Sequence, residues 1–393
     1  MQIVNFGYHP ISNRFLSKNE GKPSPLYPIK VYCNKQTGLI SLYDPFPIDE
    51  IKPRYDWLTC FEPEDHLNDL VKKIISLPGI SKSSIIGGYS FKDDTTLKRL
   101  ESFGYDVQWR IDPFIDLDIE DNCAGVETFQ NNFNLACAKK IAKKNKKADV
   151  LIIRHVLEHA YDLGGFIAAV SELVATDGYV IWEIPDCARS LGIGDCTMLW
   201  EEHIHYFTST SFKKILKLHS HEIVDFYTVP YPLENSLLAI TKLNETRSSD
   251  RRDFYNKESD LLSEYSRQVH QRKLNIKKIL LDIKRKTGKG VCIFGAGHLS
   301  VTFIALLEIH ELIEFVVDEN PNKQDKFLPL GKIQIENSNY LLQSGVKVCL
   351  LGINPHNHES VISKHPEFQE IGGKFGSIFP GTMNYIEDIY DDD

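Results

Sequence analysis

The densest group of ionisable and aromatic residues in this 393-residue chain lies between positions 200 and 208. It reads Trp-Glu-Glu-His-Ile-His-Tyr-Phe-Thr, with His203 directly after Glu202. A histidine beside a carboxylate can act as a general base, because its pKa lies near neutral pH and the carboxylate orients the ring. A polar turn that carries two solvated imidazoles accounts for the same residues. From these residues alone, both interpretations stay open.

A second group matches the H-x-x-E-H pattern of inverted zinc peptidases through His155, Glu158 and His159. Zinc peptidase chemistry needs this pattern on a helix, so that both imidazoles share one face. Here the pattern directly follows an apolar strand candidate at 149–153. That order places His155 at the end of a strand and His159 in the turn beyond it. We therefore predict no metal at these residues.

A glycine turn late in the chain partly matches a dinucleotide-binding fingerprint. Gly295 and Gly297 follow a strand candidate at 290–294, and Asp318 follows the next strand candidate. Ser300 replaces the third glycine of the fingerprint. A glycine turn between a strand and a helix is also a purely structural device. Nicotinamide binding therefore stays an alternative for this turn.

Alternating strand and helix patterns position these groups. From about residue 67, apolar strand candidates and amphipathic helix candidates follow one another, and this order indicates a mainly parallel, doubly wound α/β sheet. The strand candidates lie at 84–86, 105–111, 149–153, 179–184, 222–228 and 236–242. The helix candidates lie near 66–77, 94–103, 133–145, 162–175 and 209–218.

The carboxyl ends of parallel strands are where a doubly wound sheet binds its ligand. Gly87 and Gly88 follow the first strand candidate. Asp112 follows the second, and His155 follows the third. The glycines allow close backbone approach, and Asp112 could accept hydrogen bonds from both hydroxyls of a ribose. This arrangement predicts a site for an adenosine-containing ligand, although an aspartate after a strand is also a common helix cap.

The same patterns divide the chain into four regions. Residues 1–66 hold eight prolines and a short strand candidate at 29–33, and we predict an irregular segment of loops and edge strands there. Residues 67–247 form the first α/β unit, and 248–288 form one long amphipathic connecting helix. Residues 289–393 form a second, smaller Rossmann-like α/β unit. Its strand candidates lie at 290–294, 313–317 and 346–351.

Composition argues against several classes of protein. With 45 Lys and Arg against 54 Asp and Glu, the net charge of −9 gives no reason to expect nucleic-acid binding. No apolar stretch approaches the roughly 18–20 residues of a membrane span, and we expect no membrane association and no export signal. The eight cysteines are scattered without a C-x-x-C pair, which favours reduced thiols in a cytoplasmic protein.

Several separate segments resemble the S-adenosylmethionine-dependent C-methyltransferases of deoxysugar nucleotides. Residues 148–159 resemble the family's alanine-aspartate strand followed by N-V-x-x-H, and 183–185 resemble its E-V-P strand end. Residues 200–207 resemble its active-site signature, Y-H-E-H-L-S-Y-F. Residues 294–297 stand for Y-G-A-x of its C-terminal domain, and 317–329 match the long motif V-D-x-N-P-x-K-Q-x-x-F-L-P.

The resemblance, which covers about residues 30–380, implies S-adenosylmethionine as cofactor and a nucleotide-linked sugar as substrate. It implies a class I methyltransferase domain at 67–247. In that domain His203 would be the general base, Glu202 would orient it, and His159 would face the sugar. Cofactor contacts would come from Gly87, Gly88, Asp112 and the loop at His155. Contacts to the sugar nucleotide are expected from Trp200, Tyr206, Asn235, Gly295 and Gly297.

The implied reaction is methyl transfer to carbon. His203 removes a proton beside a keto group, and the resulting enolate attacks the sulfonium methyl. O-methylation of a sugar is a related alternative, in which His203 deprotonates a hydroxyl. A nicotinamide-dependent sugar-nucleotide enzyme that uses the turn at 295–297 is an alternative of a different class, and a binding protein without cofactor is another.

The chain departs from the family at three places. Its glycine loop at 87–94 is longer than the family's N-D-G loop and lacks the last glycine. Trp200 and Glu201 replace the first tyrosine and the first histidine of the signature. Cys33 resembles one member of a zinc-binding cysteine pair, but Gln36 stands at its partner position. One cysteine cannot hold a structural zinc ion, so we predict an N-terminal segment without metal.

Overall fold

Three β-sheets with surrounding helices form the part of the chain that the computed structural model describes, namely residues 3–18, 24–58, 64–121, 123, 125–244 and 255–390. The strands are β1 (Ile3–Pro10), β2 (Leu26–Cys33), β3 (Ile40–Leu42), β4 (Ile86–Gly88), β5 (Gln108–Arg110), β6 (Ala148–Arg154), β7 (Val174–Asp186), β8 (His205–Tyr206), β9 (His221–Val229), β10 (Asn235–Leu243), β11 (Val291–Phe294), β12 (Ile313–Val317), β13 (Ile335–Glu336), β14 (Val348–Leu351) and β15 (Lys374–Ser377).

The helices cover the faces of these sheets or connect them. They are α1 (Ile48–Ile51), α2 (Leu67–Ile75), α3 (Asp94–Ser102), α4 (Pro113–Leu117), α5 (Val126–Asn132), α6 (Leu135–Asn145), α7 (Leu163–Glu172), α8 (Ala188–Ile193), α9 (Ser209–Leu218), α10 (Tyr255–Thr287), α11 (His298–Leu307), α12 (Tyr340–Ser344), α13 (His358–Lys364) and α14 (Pro366–Glu370).

The central sheet has the strand order β5-β4-β6-β7-β10-β9. Its first four strands are parallel, and β10 and β9 are antiparallel strands at one edge. Every residue of β6 except Asp149 is buried, because helices cover both faces of the parallel part. The predicted doubly wound α/β sheet is therefore confirmed, and the carboxyl ends of β4, β6 and β7 meet at one edge.

The C-terminal sheet has the order β13-β12-β11-β14-β15, and all of its strand pairs are parallel. Helix α11 follows β11, and the next strand, β12, pairs beside β11. This arrangement confirms the second, smaller Rossmann-like unit. Its helix α11 begins at the edge of the sheet where the parallel strands end, so its first residues are available to a ligand.

The N-terminal segment contains more strand than the sequence indicates. Strands β1, β2 and β3 form an antiparallel sheet, and β8 from the 200–208 stretch completes it. Ile29, Val31 and Cys33 alternate along β2 and point into the core, which explains the strand that the pattern at 29–33 predicts. The remaining strands depend on pairing with distant segments, so their local sequence gives little sign of them.

The predicted long helix is α10, and positions 248–254 of that prediction lie outside the described residues. Its apolar stripe packs into a core shared with the N-terminal sheet and the C-terminal unit. The buried side chains of this stripe are Leu262, Tyr265, Val269, Ile276, Leu280 and Ile283. No helix in the described ranges combines the length and the apolar character needed to cross a bilayer.

Candidate active site

A cavity of about 340 Å³ opens where the carboxyl ends of the central sheet face the C-terminal unit. On the central-sheet side it is lined by Lys92, His155, Glu158, Trp200, His203 and Asn235, among others. On the C-terminal side it is lined by Gly297, His298, Leu299, Lys323 and Asn354. The two α/β units therefore share one cavity, and both contribute polar side chains to it.

Two imidazoles face each other beside this cavity. The rings of His159 and His203 have centroids 4.9 Å apart and planes at 88°. The ring of Trp200 lies 4.9 Å from that of His203 and stacks on His298 of α11 at 4.3 Å. His159 is buried, whereas His203 is half-buried and lines the cavity. His203 is therefore the imidazole that a substrate can reach. A general base needs this access, because it must come within hydrogen-bond distance of the proton that it removes.

The 200–208 stretch is tied to the N-terminal sheet. The Glu201 carboxylate is fully buried, and its Oε2 accepts a hydrogen bond from Ser12 Oγ at 2.9 Å. His205 Nε2 donates to the Ala160 carbonyl at 2.9 Å, and its Nδ1 accepts from Ser41 Oγ at 2.8 Å. Burial lowers the pKa of His205 to about 4, so the ring is neutral at physiological pH. These contacts exclude a solvated polar turn.

Two predicted substrate contacts lie away from the cavity lining. Tyr206 is fully buried in β8, and its hydroxyl donates to the Trp200 carbonyl at 3.3 Å. Gly295 has a φ of +107°, and a Cβ there would lie 2.4 Å from Ile353 Cγ2. The side chain of Tyr206 and the backbone of Gly295 therefore support the cavity rather than line it. Asn235 and Gly297 line it as expected.

Glu202 does not lie on the cavity wall beside His203, where an orienting carboxylate is expected. It is half-buried, and it is not among the described residues that line the cavity. The neighbouring Glu201, which replaces a histidine of the family signature, accepts a hydrogen bond from Ser12. An orienting role of Glu202 on His203 stays a prediction.

Gly87 and Gly88 belong to β4 itself rather than to the turn after it. A Cβ on Gly87 would lie 2.8 Å from Cζ2 of the Trp109 ring, and a Cβ on Gly88 would lie 2.9 Å from Leu97 Cδ1. Both distances are too short for a real side chain. The two glycines thus make room for neighbouring side chains of the protein, and a direct cofactor contact by them stays a prediction.

Asp93 closes the turn after β4. Its buried carboxylate accepts hydrogen bonds from the amides of Tyr89 and Ser90 through Oδ2, at 2.8 and 2.9 Å. Oδ1 accepts from the amide of Arg154 at 3.0 Å. A carboxylate that binds three backbone amides can stabilise a turn that lacks the last glycine of the family's loop.

A buried ion network joins the ends of β6 and β7. Arg154 Nε donates to Glu183 Oε2 at 2.6 Å, and Arg154 Nη1 donates to the Lys92 carbonyl at 2.7 Å. Nε2 atoms of His66 and His155 lie 2.9 and 3.3 Å from Glu183 Oε1. Burial by itself raises the pKa of Glu183, but His155, His66 and Arg154 together hold it well below its usual range. Glu183 is therefore an ionised anchor.

His155 adopts a left-handed backbone conformation, with a φ of +50°. Its amide donates to the Glu183 carbonyl at 2.8 Å, and this bond holds the turn at the end of β6. Asparagine adopts this conformation more readily than histidine does. The asparagine that the family has at this position fits the turn for that reason, and His155 keeps the turn with an added imidazole.

Asp112 is the N-cap of α4. Its Oδ1 accepts hydrogen bonds from the amides of Phe114 and Ile115, both at 2.9 Å. The helix-cap interpretation is thus correct, but it uses one carboxylate oxygen only. Oδ2 has no hydrogen-bond partner given by the described residues, so Asp112 can still accept a bond from a ribose hydroxyl.

Asp318 has a different position in the C-terminal unit. Its Oδ2 accepts hydrogen bonds from the Ala296 amide at 2.8 Å and from Lys323 Nζ at 3.0 Å, and its Oδ1 accepts from the Asn320 amide at 2.9 Å. Both oxygens are engaged within the protein. A dinucleotide fingerprint needs this carboxylate for a ribose, so the contacts of Asp318 disfavour nicotinamide binding at the turn at 295–297.

Sequence reasoning missed His298, Glu234 and Asn354 as cavity residues. His298 directly follows the second glycine of the turn and begins α11, and this position at a helix start is a usable signal. Glu234 and Asn354 lie in connecting segments, and no local pattern marks them. Their place depends on how the two α/β units pack together.

Two family models match the chain. Residues 95–224 match a methyltransferase domain, and residues 240–380 match a C-methyltransferase C-terminal domain. The chain is also 22% identical over 388 residues to the C-methyltransferase NovU of Streptomyces niveus. The aligned region covers 95% of this chain and 92% of that relative. These matches confirm the resemblance to C-methyltransferases that carry this C-terminal domain.

Solved structures are similar over part of the chain. A 1,6-didemethyltoxoflavin N1-methyltransferase of Burkholderia thailandensis, solved with S-adenosylhomocysteine, aligns with a TM-score of 0.31 at 10% identity, over 46% of this chain and 78% of that one. The carbon methyltransferase CurJ aligns with a TM-score of 0.27 at 13% identity, over 45% of this chain and 54% of that one.

Proposed function

We propose that this S-adenosylmethionine-dependent methyltransferase methylates a carbon atom of a nucleotide-linked keto sugar, with His203 as the general base. The observation that carries the proposal is the cavity shared by the two α/β units. His203 lies on one side of it, and His298 and Lys323 lie on the other. A ligand made of a sugar and a nucleotide is long enough to use both sides. The match to a C-methyltransferase C-terminal domain supports the same reading.

Two polar atoms fit S-adenosylmethionine at the carboxyl edge of the central sheet. Asp112 Oδ2 is available to a ribose hydroxyl after Oδ1 has capped α4. Arg154 Nη2 is a buried donor without an acceptor among the described residues, and it suits the carboxylate of the methionine part. We therefore assign these two residues to the adenosine end and the amino-acid end of the cofactor.

The reaction needs a base, a donor and alignment. S-adenosylmethionine, when bound, supplies an electrophilic methyl group. His203 takes the proton from the carbon beside the keto group, because a ketone acidifies that hydrogen. His159 faces His203 and would hold its ring in position while the proton moves. Lys323, on the opposite side of the cavity, would stabilise the negative charge that develops on the keto oxygen. The stacked rings of Trp200 and His298 fix the wall against which the sugar lies.

The test is methyl transfer with S-adenosylmethionine and a panel of nucleotide-linked keto sugars, followed by mass spectrometry for the gain of one methyl group. For His203→Gln we expect kcat/KM to fall by about 10²–10⁴-fold, the usual range for the loss of a general base. The dissociation constant for S-adenosylhomocysteine should change by less than about threefold, because the proposed cofactor contacts are Asp112 and Arg154 and not His203.

His310→Gln is the matched control, since His310 is exposed and distant from the cavity lining. It should keep full activity. Full turnover by His203→Gln would remove His203 from the mechanism, and the absence of any methylated product across the panel would argue against the sugar substrate. NMR of the product separates C-methylation from O-methylation, in which His203 would deprotonate a hydroxyl instead.

A further inference from the structure

Glu158, His159 and His203 form a cluster that the proposed reaction does not fully explain. One carboxylate oxygen and one nitrogen from each imidazole all lie within 4.8 Å of one another. We propose that this cluster binds one divalent transition-metal ion of the zinc class. The inference depends on these side chains alone, and it stands or falls independently of the sugar substrate.

The Glu158 carboxylate gives a second reason to expect a cation. Glu158 is 1% exposed, and neither of its oxygens accepts a hydrogen bond from any described residue. Imidazole nitrogens of His155 and His159 lie 3.7 and 3.9 Å from Oε1, beyond hydrogen-bond distance. A buried carboxylate without donors is costly, and a metal ion would compensate for that cost directly.

An ion can reach this position, because Glu158 and His203 both line the 340 Å³ cavity. The cluster therefore lies at the wall of a cavity that solvent can enter rather than inside a closed core. Three protein ligands would leave at least one coordination position of a four-coordinate ion open. A substrate oxygen or a water molecule would fill it.

The ligand set selects the kind of metal. Two imidazoles and one carboxylate suit zinc and its first-row neighbours, whereas magnesium and calcium prefer oxygen ligands. The set also differs from the H-x-x-E-H pattern in the sequence. His155 Nε2 lies 3.3 Å from Glu183 and belongs to the ion network, and His203 from the distant 200–208 stretch takes its place. The expectation of no metal at 155–159 depends on the missing helix, and local sequence gives no sign that His203 lies beside Glu158 and His159.

Metal binding and base catalysis compete at His203. A nitrogen that binds the ion has no lone pair for a proton, so the metal-loaded chain should transfer methyl groups more slowly by the proposed route. The ion would act as a Lewis acid toward a sugar oxygen at its open position. The cluster would thus make the activity of this site sensitive to the supply of transition metals.

The experiment uses the full chain, freed of metal with a chelator, and titrates it with Zn²⁺ and with Co²⁺ without cofactor or sugar. We expect one ion per chain and a Co²⁺ absorption spectrum that lacks the intense band of a thiolate ligand. His203→Gln should weaken binding by at least about 100-fold, more than the roughly 10- to 100-fold loss for a residue that only supports a ligand. Glu158→Gln should do the same.

His310→Gln is the control and should bind as the unaltered chain does. Thermal unfolding checks that Glu158→Gln folds; His203→Gln, at a half-buried position, carries the test if it does not. Absence of a stoichiometric ion would overturn the proposal. So would unchanged affinity in His203→Gln, or a Co²⁺ thiolate band, which would assign the ion to cysteines. None of these results bears on whether the chain methylates a sugar.

Discussion

The two α/β units begin with the same arrangement of strand, glycines, helix, strand and aspartate, but they use it differently. In the central sheet, the space beside Gly87 is filled by Trp109, and Asp112 keeps one oxygen for a ligand. In the C-terminal unit, Gly297 has open space around it, and both oxygens of Asp318 are engaged. Glycine spacing therefore says little about which unit holds a cofactor. The hydrogen-bond partners of the aspartate are the better indicator, because they show whether a carboxylate oxygen is left for a ribose.

The largest effect is expected at Gly295. Its φ of +107° strains any side chain, and an added Cβ would lie 2.4 Å from Ile353 Cγ2. Gly295→Ala should lower the free energy of unfolding by about 3–5 kcal/mol, measured by urea denaturation. Gly297→Ala is the matched control, because its φ is −126° and its Cβ would meet open space. Because alanine is a poorer N-cap than glycine, it should lower stability by only about 1 kcal/mol. Equal losses in both variants would contradict this reading.

The next effect concerns the free oxygen of Asp112. Asp112→Asn keeps a good N-cap for α4 but loses the charge, so stability should hold while S-adenosylhomocysteine binds more weakly by about 1.5–3 kcal/mol. Calorimetric titration measures this. Asp112→Ala should lose about 1 kcal/mol of stability in addition. If both variants bind with the original dissociation constant, the ribose lies elsewhere.

A smaller effect is expected at Gly87. Gly87→Ala would push a Cβ against the Trp109 ring, 2.8 Å away, and should destabilise the chain by about 1–3 kcal/mol. Replacing Trp109 by leucine in the same chain should recover part of this loss, because the smaller side chain leaves room. A double-mutant cycle measures the recovery. Purely additive losses would assign the clash to Leu151, whose Cδ1 would lie 3.0 Å from the same Cβ, rather than to Trp109.

Much of the fold follows from sequence patterns. The apolar run at 149–153 is β6, and the run at 313–317 is β12 with the same bounds. Buried parallel strands are continuous apolar runs, so they are readable without any partner. The two-residue strand β8 and most of the N-terminal sheet cannot be predicted in this way, because they form only by pairing between segments far apart in the chain.

The site was predictable in part. Resemblance to a signature identified Trp200 and His203, and both line the cavity. The place of Glu201 could not be predicted, because its partner Ser12 lies in another part of the chain. Nor could that of Glu158, whose neighbours become visible only when the turn after β6 meets the 200–208 stretch. Local sequence shows which side chains could take part in chemistry, and the packing of distant segments decides which of them lie in the same site.

The 200–208 stretch contacts every part of the molecule. Glu201 binds Ser12 of the N-terminal segment, Trp200 stacks on His298 of the C-terminal unit, and Thr208 Oγ1 donates to Glu258 of α10 at 2.9 Å. The position of His203 therefore depends on the packing of all of these parts against the 200–208 stretch. Methyl transfer would report complete assembly of the chain, whereas secondary-structure content would already be high in a misassembled one.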